Sequence, residues 1–258
     1  MNPSDVHPMV EVLRGRIVES IHFGALAAVD SSGCQLINLG NPQMVTFLRS
    51  SAKPFQALPF VEMGGVETFN LNERELAVMC ASHSGTDDHV HVVSGMQKKI
   101  NLGEEHLLCG THIPYDEETQ KRLVRSGEAP TPNRNNCSGK HTGMLGQCLM
   151  RKAPTENYID PHHPVQENVL NTFAEMCDMQ AQDVEVGIDG CSLPNFATPL
   201  FNAALGYARL ADPAGLPEKR ANALRKIFHA MTTHPDMVSG PGLFDTLLMQ
   251  AAGGKLVC

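Results

Sequence analysis

Hydrophobic positions recur along this chain with two different periods, and together they predict a mixed α and β fold. In five segments the apolar residues alternate with polar ones or form short runs that end at turn residues, which is typical of strands. These predicted strands are residues 11–22, a hairpin made of 25–29 and 34–39, residues 76–81 and residues 184–188. The sequence Asp30-Ser31-Ser32-Gly33 supplies the turn of the hairpin.

Other segments carry apolar residues three and four positions apart, which predicts six helices. They cover residues 87–100, 138–150, 164–176, 199–210, 217–231 and 243–252. Thr86, with the acidic residues after it, is typical of a helix cap. Gly139, Gly143 and Gly146 lie on one side of the second helix, where they would let another backbone approach closely.

We predict one catalytic unit over residues 1–258, with a subdivision near residues 127–133 as the alternative. Gly127-Glu128-Ala129-Pro130-Thr131-Pro132 is the best candidate for a linker, because proline continues neither a helix nor a central strand. A simple loop is the other interpretation. The last residues, Lys255-Leu256-Val257-Cys258, resemble the beginning of a strand, so we expect the natural product to continue beyond them.

Composition and charge narrow the classes of function. The 258 residues are 42% hydrophobic, which is enough to bury one substantial core or two modest ones. A formal net charge of -8 disfavours nucleic acid and anionic membranes as partners and favours a small polar substrate. No leader or membrane-spanning stretch is found, so we expect a cytoplasmic protein. In such a chain, the eight cysteines predict buried thiols or metal ligands rather than disulfides.

Ser50 and Lys53 form the first candidate for catalysis. A serine three residues before a lysine at a helix start has its Cβ roughly 5–6 Å from that of the lysine, so the amine can reach the hydroxyl. To act as a base near pH 7, Lys53 needs its pKa lowered from about 10.4 by about 3 units, through burial or a neighbouring cation such as Arg49. Because the spacing also arises by chance, an exposed polar helix start is the competing interpretation.

Ser82 is a second candidate, because it follows the predicted strand 76–81 and strand ends carry functional side chains in open α/β sheets. The alternative is that residues 82–86 form only the turn and cap of the next helix, with Ser84 or Thr86 as the cap.

Cys137, Lys140 and Cys191 are the candidate metal ligands. Thiolates bind Zn²⁺ well, and a cysteine at a helix N-terminus ionises more easily than a free one. Lysine is a rare ligand, and the other cysteines lack zinc-finger spacing, which disfavours a purely structural zinc site. The competing interpretation makes Cys137 and Cys191 small buried residues in unrelated loops. We predict that the following cysteines lie in the core or in an interface: Cys80, Cys109, Cys148 and Cys177.

Five motifs in this order give the chain a resemblance to the rhizobial-type L-asparaginase II family over nearly its whole length. They are Arg49-Ser50-Ser51-Ala52-Lys53-Pro54, Ala81-Ser82-His83-Ser84-Gly85, Asn136-Cys137-Ser138-Gly139-Lys140-His141-Thr142-Gly143-Met144, Ile188-Asp189-Gly190-Cys191 and His234-Pro235-Asp236-Met237-Val238-Ser239-Gly240. The resemblance implies an α+β fold like that of serine β-lactamases and penicillin-binding proteins, with an antiparallel sheet packed with helices. It also implies a homodimer that hydrolyses L-asparagine to L-aspartate and ammonia.

The same resemblance assigns roles to individual residues. Ser50 and Lys53 match one Ser-Lys tandem of the family, and Ser82 matches the serine of a second. The family's zinc pocket, accessory to the chemistry, falls on Cys137, Lys140 and Cys191. The positions that line the substrate pocket are matched by Arg49, His141 and Asp189.

The side-chain charges of two of these pocket residues indicate which group of the substrate each would bind. Asp189 suits the amino group of asparagine, and Arg49 suits its carboxylate. In the family, the lysine that partners the second serine lies in a Lys-x-Gly-Ala-Glu-Gly segment. The chain departs from the family here, because no such segment occurs before Cys258. Lys255 is a poor substitute for it, since Leu256 and Val257 follow.

Chemistry and resemblance together predict that Ser50 attacks the side-chain amide while Lys53 takes its proton, with Ser82 completing the proton path. Which serine is the nucleophile is a hypothesis. Two other classes stay open at this point. One is a penicillin-recognising Ser-x-x-Lys hydrolase, and the other is a truncated member of the family that binds an amino acid or zinc without turnover.

Overall fold

Seven strands form three separate antiparallel sheets in the part of the chain that the computed structural model describes, residues 3–258. The strands are β1 (His7–Arg14), β2 (Ile17–Gly24), β3 (Leu26–Val29), β4 (Gln35–Leu39), β5 (Val45–Phe47), β6 (Glu185–Ile188) and β7 (Pro194–Pro199). β1 pairs with β2, β3 pairs with β4, and β7 lies between β5 and β6 in the third sheet. The predicted mixture of helices with antiparallel strands is confirmed, but the strands are divided among three sheets.

The predicted hairpin at residues 25–39 is confirmed as β3 and β4. Asp30 fixes its turn, because its Oδ1 accepts from the backbone N–H of Ser32 at 3.0 Å and of Cys34 at 2.9 Å. The segment 11–22, predicted as one half-buried strand, is instead parts of β1 and β2 joined at Gly15, whose φ is +62°. Its apolar residues are exposed, since no other strand or helix covers this hairpin among residues 3–258.

Eleven α-helices occur among the described residues. They are α1 (Lys53–Glu62), α2 (Gly65–Thr68), α3 (Glu73–Met79), α4 (Asp87–Ile100), α5 (Glu117–Ser126), α6 (Ser138–Arg151), α7 (Pro164–Met176), α8 (Leu200–Ala211), α9 (Glu218–Thr233), α10 (Pro235–Val238) and α11 (Phe244–Ala251). The six predicted helices are confirmed as α4, α6, α7, α8, α9 and α11, with ends that match or differ by one or two residues. Within residues 3–258, helices long and apolar enough to cross a membrane are absent.

The prediction of a strand at residues 76–81 is wrong, because most of this segment belongs to helix α3. A capping box begins the helix: the Asn72 side chain accepts from Glu75 N–H, and the Glu75 side chain accepts from Asn72 N–H. The apolar run is too short for its period to separate a buried strand from a buried helix. Strand β7 was not predicted, because prolines stand at both of its ends, Pro194 and Pro199.

The core lies among the helices. One cluster of buried apolar side chains extends along the chain from Ala52 to Met249 and includes the four cysteines predicted to be core residues. The proline-rich segment 127–132 follows helix α5, and Asn133 and Arg134 directly after it are buried. A subdivision of the chain at this point stays a prediction.

Helix α6 packs closely against α1 and α3 through its glycines, as their positions in the sequence predicted. A Cβ on Gly139 would lie 2.2 Å from the Val78 carbonyl oxygen, and a Cβ on Gly143 would lie 2.6 Å from Met79 Sδ. Gly146 makes the corresponding approach to the Phe60 ring, at 2.7 Å. This packing brings the N-terminus of α6, which carries Cys137 and Lys140, against the end of α3 that leads to Ser82.

Replacing Gly139 with alanine is expected to lower the free energy of unfolding by about 3 kcal/mol, because the added methyl group meets backbone rather than a movable side chain. Gly95→Ala is the matched control, since Gly95 also lies inside a helix but its Cβ would contact only Glu75 Oε1, at 3.4 Å. This control should stabilise the protein by about 0.5–1 kcal/mol. Urea denaturation of both variants measures the difference, and equal stabilities would contradict the packing argument.

Two stacked histidines, His83 and His89, are buried between α3, α4 and α6, with ring centroids 4.9 Å apart. His83 Nε2 lies 2.9 Å from Ser138 Oγ, and His89 Nε2 lies 2.9 Å from the Asp236 carbonyl oxygen. Burial is the largest cause that lowers the pKa of each ring, and the neighbouring His89 lowers the pKa of His83 further. Both rings are therefore neutral in the folded protein near pH 7.

Lowering the pH from 7 to 5.5 is expected to reduce the free energy of unfolding by about 1–3 kcal/mol through these two histidines. Below about pH 6.5 the unfolded chain binds protons that the buried rings do not, so stability is full above that pH and is lost as the pH falls. His89→Gln should remove part of this pH dependence, whereas His91→Gln, at an exposed position on the same helix, should not. Urea titrations at both pH values with indistinguishable stability would overturn the expectation.

Candidate active site

Ser50 lies in a short 3-10 turn, Arg49–Ala52, between strand β5 and helix α1. Arg49 has a φ of +54°, a left-handed conformation that is uncommon for residues other than glycine. Strand β7 holds the turn in place, because Asn195 Oδ1 accepts from the Arg49 backbone N–H at 3.1 Å. Tyr207 supports the other side by donating its hydroxyl to the Ser51 carbonyl oxygen at 2.6 Å.

Ser82 lies in an extended segment directly after α3, and the structure brings it next to Ser50. The N–H groups of Ser82 and Ser84 donate to the carbonyl oxygens of Val238 and Ser239, at 3.0 and 2.7 Å. Thr86 provides the N-cap of α4, so capping does not engage the Ser82 hydroxyl. Instead Ser82 Oγ lies 3.2 Å from Ser50 Oγ, although the two serines are 32 residues apart.

Lys53 is fully buried, and its amine points to backbone oxygens. Nζ donates to the carbonyl oxygen of Ala81 at 2.5 Å and to that of Asn136 at 3.1 Å. The Cys137 side chain is a third partner. Burial is the largest cause that lowers the pKa of Lys53, and the charge of Cys137 partly opposes it. Although the spacing predicted that Lys53 can reach the Ser50 hydroxyl, the hydrogen bonds of residues 3–258 include none between these side chains.

Asn136, which stands in a family motif but had no predicted role, connects the serine pair with Lys53. Its Nδ2 donates to Ser82 Oγ at 2.9 Å, and its carbonyl oxygen accepts from Lys53. His112 holds its backbone, because His112 Nε2 accepts from Asn136 N–H at 3.0 Å. The signal in the sequence is a run of polar residues, Asn133-Arg134-Asn135-Asn136, that immediately precedes the helix carrying Cys137 and Lys140.

Arg49 and Asp189 form an ion pair beside Ser50, with 2.8 Å between Arg49 Nη2 and Asp189 Oδ1. The carboxylate is held by a turn after β6, in which Gly190 N–H donates to Asp189 Oδ1 at 2.8 Å. The Asp189 side chain is 14% exposed and the Arg49 side chain 67%, so the arginine is the more accessible member. Two of the predicted substrate-binding residues therefore lie together, with opposite charges, next to a predicted catalytic serine.

Two cavities meet at Ser50. The larger has a volume of about 230 Å³ and is lined by Arg49, Ser50, His112, Tyr115, Asn135, Asn136, Cys137, Asp189, Gly190 and Cys191. The smaller has about 130 Å³ and includes Ser50, Ser82, Ser239, Asp245 and Cys258 among its lining residues. Larger cavities of about 640, 580 and 520 Å³ lie elsewhere on the described chain, but none of them is lined by Ser50 or Ser82. Chemistry rather than size therefore identifies the site.

His141, the third predicted substrate-binding residue, lies behind the site rather than among the residues that line these two cavities. Its ring is fully buried, and its Nδ1 lies within hydrogen-bond distance of the Tyr158 hydroxyl, 2.7 Å away. Burial lowers the pKa of His141 well below its ordinary value, and the charge of Lys140 lowers it further. The neutral ring helps to pack helix α6, which carries two of the candidate metal ligands.

Cys137 and Cys191 form a buried thiol pair at the wall of the larger cavity. A hydrogen bond from Cys191 is the main cause that lowers the pKa of Cys137, with help from the ammonium groups of Lys140 and Lys53 against burial. The pKa of Cys191 is raised by the same hydrogen bond and by burial. Lys140 Nζ donates to Cys191 Sγ at 3.2 Å. Burial opposes the charge of Lys140, but the two sulfur atoms outweigh it and raise its pKa.

This thiol pair and Lys140 supply two soft sulfur donors and one nitrogen donor. Groups of three or more histidine, cysteine, aspartate or glutamate side chains that could hold a metal ion are absent from the described residues. A metal at the thiol pair would therefore need Lys140, as a neutral amine, for its third ligand. Two cysteines, one nitrogen ligand and one open position fit the donor set of zinc.

Residues 10–258 match the family model described as L-asparaginase II. The comparison with curated proteins gives no match. The family match spans both serines, both lysines, the ion pair and the thiol pair, so it covers the whole of the site described above. The chain belongs to the L-asparaginase II family.

Proposed function

We propose that this protein hydrolyses the side-chain amide of L-asparagine to L-aspartate and ammonia. The observation that carries the proposal is the contact between the Ser50 and Ser82 hydroxyls, 3.2 Å apart, beside the Arg49–Asp189 ion pair. Membership of the L-asparaginase II family supports the same reaction and does not favour a penicillin-recognising hydrolase.

The charges around the larger cavity support an amino-acid substrate. Arg49 offers a guanidinium to an α-carboxylate, and Asp189 offers a carboxylate to an α-amino group. In the proposed complex the substrate enters between these two side chains and pairs with both. A volume of about 230 Å³ is below the range of drug-sized pockets, as expected for a substrate of a few heavy atoms.

In the proposed reaction, Ser50 Oγ attacks the side-chain carbonyl carbon, and the C–N bond breaks as Lys53 passes the serine proton to the departing ammonia. Water then cleaves the β-aspartyl ester, which releases aspartate and restores the Ser50 hydroxyl. Burial, which lowers the pKa of Lys53, favours the neutral amine that this step needs. Ser82 lies in hydrogen-bond contact with Ser50 and shares in the proton path.

The bonds of Lys53 in the substrate-free chain do not exclude it as the base. Two bonds to carbonyl oxygens use two N–H groups, which a neutral amine also has. Catalytic hydrogen bonds often become short only when the substrate is bound. In the proposed complex Lys53 gives up the N–H that it directs to Cys137, and its lone pair then faces Ser50.

The architecture and assembly implied by the resemblance are part of the same proposal. A fold like that of serine β-lactamases is supported by a Ser-x-x-Lys motif that leads from an antiparallel strand, β5, into helix α1. A homodimer is supported by the exposed apolar side chains of the β1–β2 hairpin, among them Leu13, Ile17 and Phe23.

We also propose that Cys137, Lys140 and Cys191 hold a zinc ion. The direction of the Cys137 pKa supports this, because a lowered pKa favours the thiolate that binds a metal, and zinc would displace the proton of the other thiol. When bound, zinc would supply positive charge at the cavity wall and would order the two segments that carry the cysteines. Lys53 and Asn136 would keep their roles at the serines.

Purified protein is expected to contain about one zinc ion per chain, and Cys191→Ser should remove most of it. Elemental analysis measures the content, and cobalt substitution should give sulfur-to-metal charge-transfer absorption that the variant lacks. Cys177→Ser is the matched control, because Cys177 is also buried but lies outside both cavities at Ser50. A wild-type protein that stays free of zinc after incubation with it would overturn the metal proposal.

The proposed function is tested by ammonia release from L-asparagine, after circular dichroism has established that the 258-residue protein is folded. Parallel assays with L-glutamine and a chromogenic cephalosporin separate the substrate classes. We expect ammonia from L-asparagine and no cephalosporin turnover. A folded protein that binds L-asparagine, as measured by a rise in Tm, but releases no ammonia would contradict catalysis.

A further inference from the structure

A loop between residues 107 and 116 is bound to the segment that leads into helix α6. The Asn135 side chain donates from Nδ2 to the carbonyl oxygens of Cys109 at 3.0 Å and Gly110 at 3.2 Å. Asn135 Oδ1 in turn accepts from Cys137 N–H at 2.9 Å. These bonds hold the next part of the loop, which carries His112, against Asn136.

The hydrogen bonds of His112 fix which of its ring nitrogens carries the proton. Nδ1 lies 2.7 Å from the Ile113 carbonyl oxygen, which only accepts, so Nδ1 must donate. With Nδ1 donating, Nε2 accepts from Asn136 N–H at 3.0 Å, and Asn136 Oδ1 lies 3.2 Å from the same nitrogen. His112 is thus oriented as an acceptor for one backbone amide.

Asn136 transmits that contact to the second serine. Its backbone N–H is held by His112, and its side-chain Nδ2 donates to Ser82 Oγ at 2.9 Å. Because an amide N–H only donates, it occupies one lone pair of the Ser82 oxygen and leaves the other for the Ser50 hydroxyl. A rotation of the Asn136 backbone would displace the donor from Ser82 and weaken the contact between the two serines.

We propose that His112 is a positioning residue for the amide hydrolysis, which acts through Asn136 to set the orientation of the Ser82 hydroxyl. This inference rests on the proposed function for its effect on turnover. His112 lines the larger cavity, but the charged groups offered to the substrate, Arg49 and Asp189, lie on other segments of the chain. Loss of the His112 contact should therefore slow the chemical step more than it weakens substrate binding.

His112→Leu is expected to lower kcat for L-asparagine about tenfold, with a change in KM of less than about threefold. His112→Gln should recover most of kcat, because its amide oxygen reaches the place of Nε2 and accepts the same N–H. Asn136→Ala removes the donor to Ser82 itself, so adding His112→Leu to it should cause no further loss. Losses that multiply in the double variant, or a change confined to KM, would overturn the proposal.

A second measurement does not depend on turnover. Hydrogen exchange of the Asn136 backbone amide, followed by NMR, should be slow in the wild type and in His112→Gln, and at least about tenfold faster in His112→Leu. Tyr115→Leu is the control, because Tyr115 packs on the His112 ring, with centroids 5.0 Å apart, and lines the same cavity. It should leave the exchange of this amide unchanged.

The two measurements separate failure of the inference from failure of the proposed function. If the wild type releases no ammonia from L-asparagine, the proposed function falls while the exchange rates still decide whether His112 holds Asn136. If exchange in His112→Leu equals that in the wild type, the positioning contact is absent and the inference falls, whatever the activity.

Discussion

Ser50→Ala is expected to lower kcat for L-asparagine by about 10⁴-fold or more, because it removes the oxygen that attacks the amide in the proposed mechanism. The substitution leaves the backbone contacts of the 3-10 turn in place, including the bond from Arg49 N–H to Asn195. KM should therefore change little, since the ion pair beside the cavity keeps its position. Steady-state ammonia release, measured with the wild type as reference, gives both values.

Ser82→Ala is the matched variant, because it removes the other hydroxyl of the same 3.2 Å contact. Loss of a residue that only shares in proton transfer should lower kcat by about 10²-fold, which is a smaller decrease than loss of the nucleophile causes. Trapping with an electrophilic asparagine analogue, followed by mass spectrometry, locates the covalent bond directly. A label on Ser82 with none on Ser50 would reverse the two assignments.

Local sequence signals predicted the long helices well. Helix α4 was predicted because Thr86 is a strong cap and the apolar spacing continues for several turns after it. The same rules failed where the segment was short. The apolar run at 76–79 has too few residues to reveal a period. The capping box that begins its helix is at Asn72, four residues before this run, so the run alone does not indicate a helix.

The serine pair is harder to predict from residue patterns, because Ser50 and Ser82 meet only through the packing of α1, α3 and β7. The ordered motifs of a family supplied what spacing alone lacked. Asn136 stands in one of those motifs but had no role assigned to it, and His112 stands in none. A contact between single residues 24 positions apart leaves no periodic signal. Lys53 donates to backbone carbonyl oxygens, which every residue carries. No residue type in the sequence therefore indicates these partners.

Lys53→Met is expected to lower kcat by about 10³-fold or more, the second large effect at this site. The thioether has nearly the shape of the lysine chain but carries no proton, so both base function and positive charge are lost. The wild-type pH profile of kcat/KM should show an acidic limb below the ordinary lysine pKa, because burial lowers the pKa of Lys53. That limb should disappear in the residual activity of the variant.

Stability has to be separated from chemistry, since Lys53 also binds two buried carbonyl oxygens. Losing those bonds should lower the free energy of unfolding by about 1–3 kcal/mol, which urea denaturation measures. Lys99→Met is the matched control, because Lys99 also donates to a carbonyl oxygen, that of Asn70, but stands away from the serines. It should leave kcat within about twofold of the wild type and change only stability.

Lys53→Arg distinguishes a base from a fixed charge. Arginine keeps the positive charge but stays protonated at any pH of the assay, so it cannot accept the Ser50 proton. If Lys53 acts as the base, the arginine variant should be nearly as slow as Lys53→Met, provided that its Tm shows a folded protein. Activity near that of the wild type in Lys53→Arg would mean that Lys53 acts through its charge alone. The Ser50 proton would then have to leave through Ser82, the hydroxyl in contact with it.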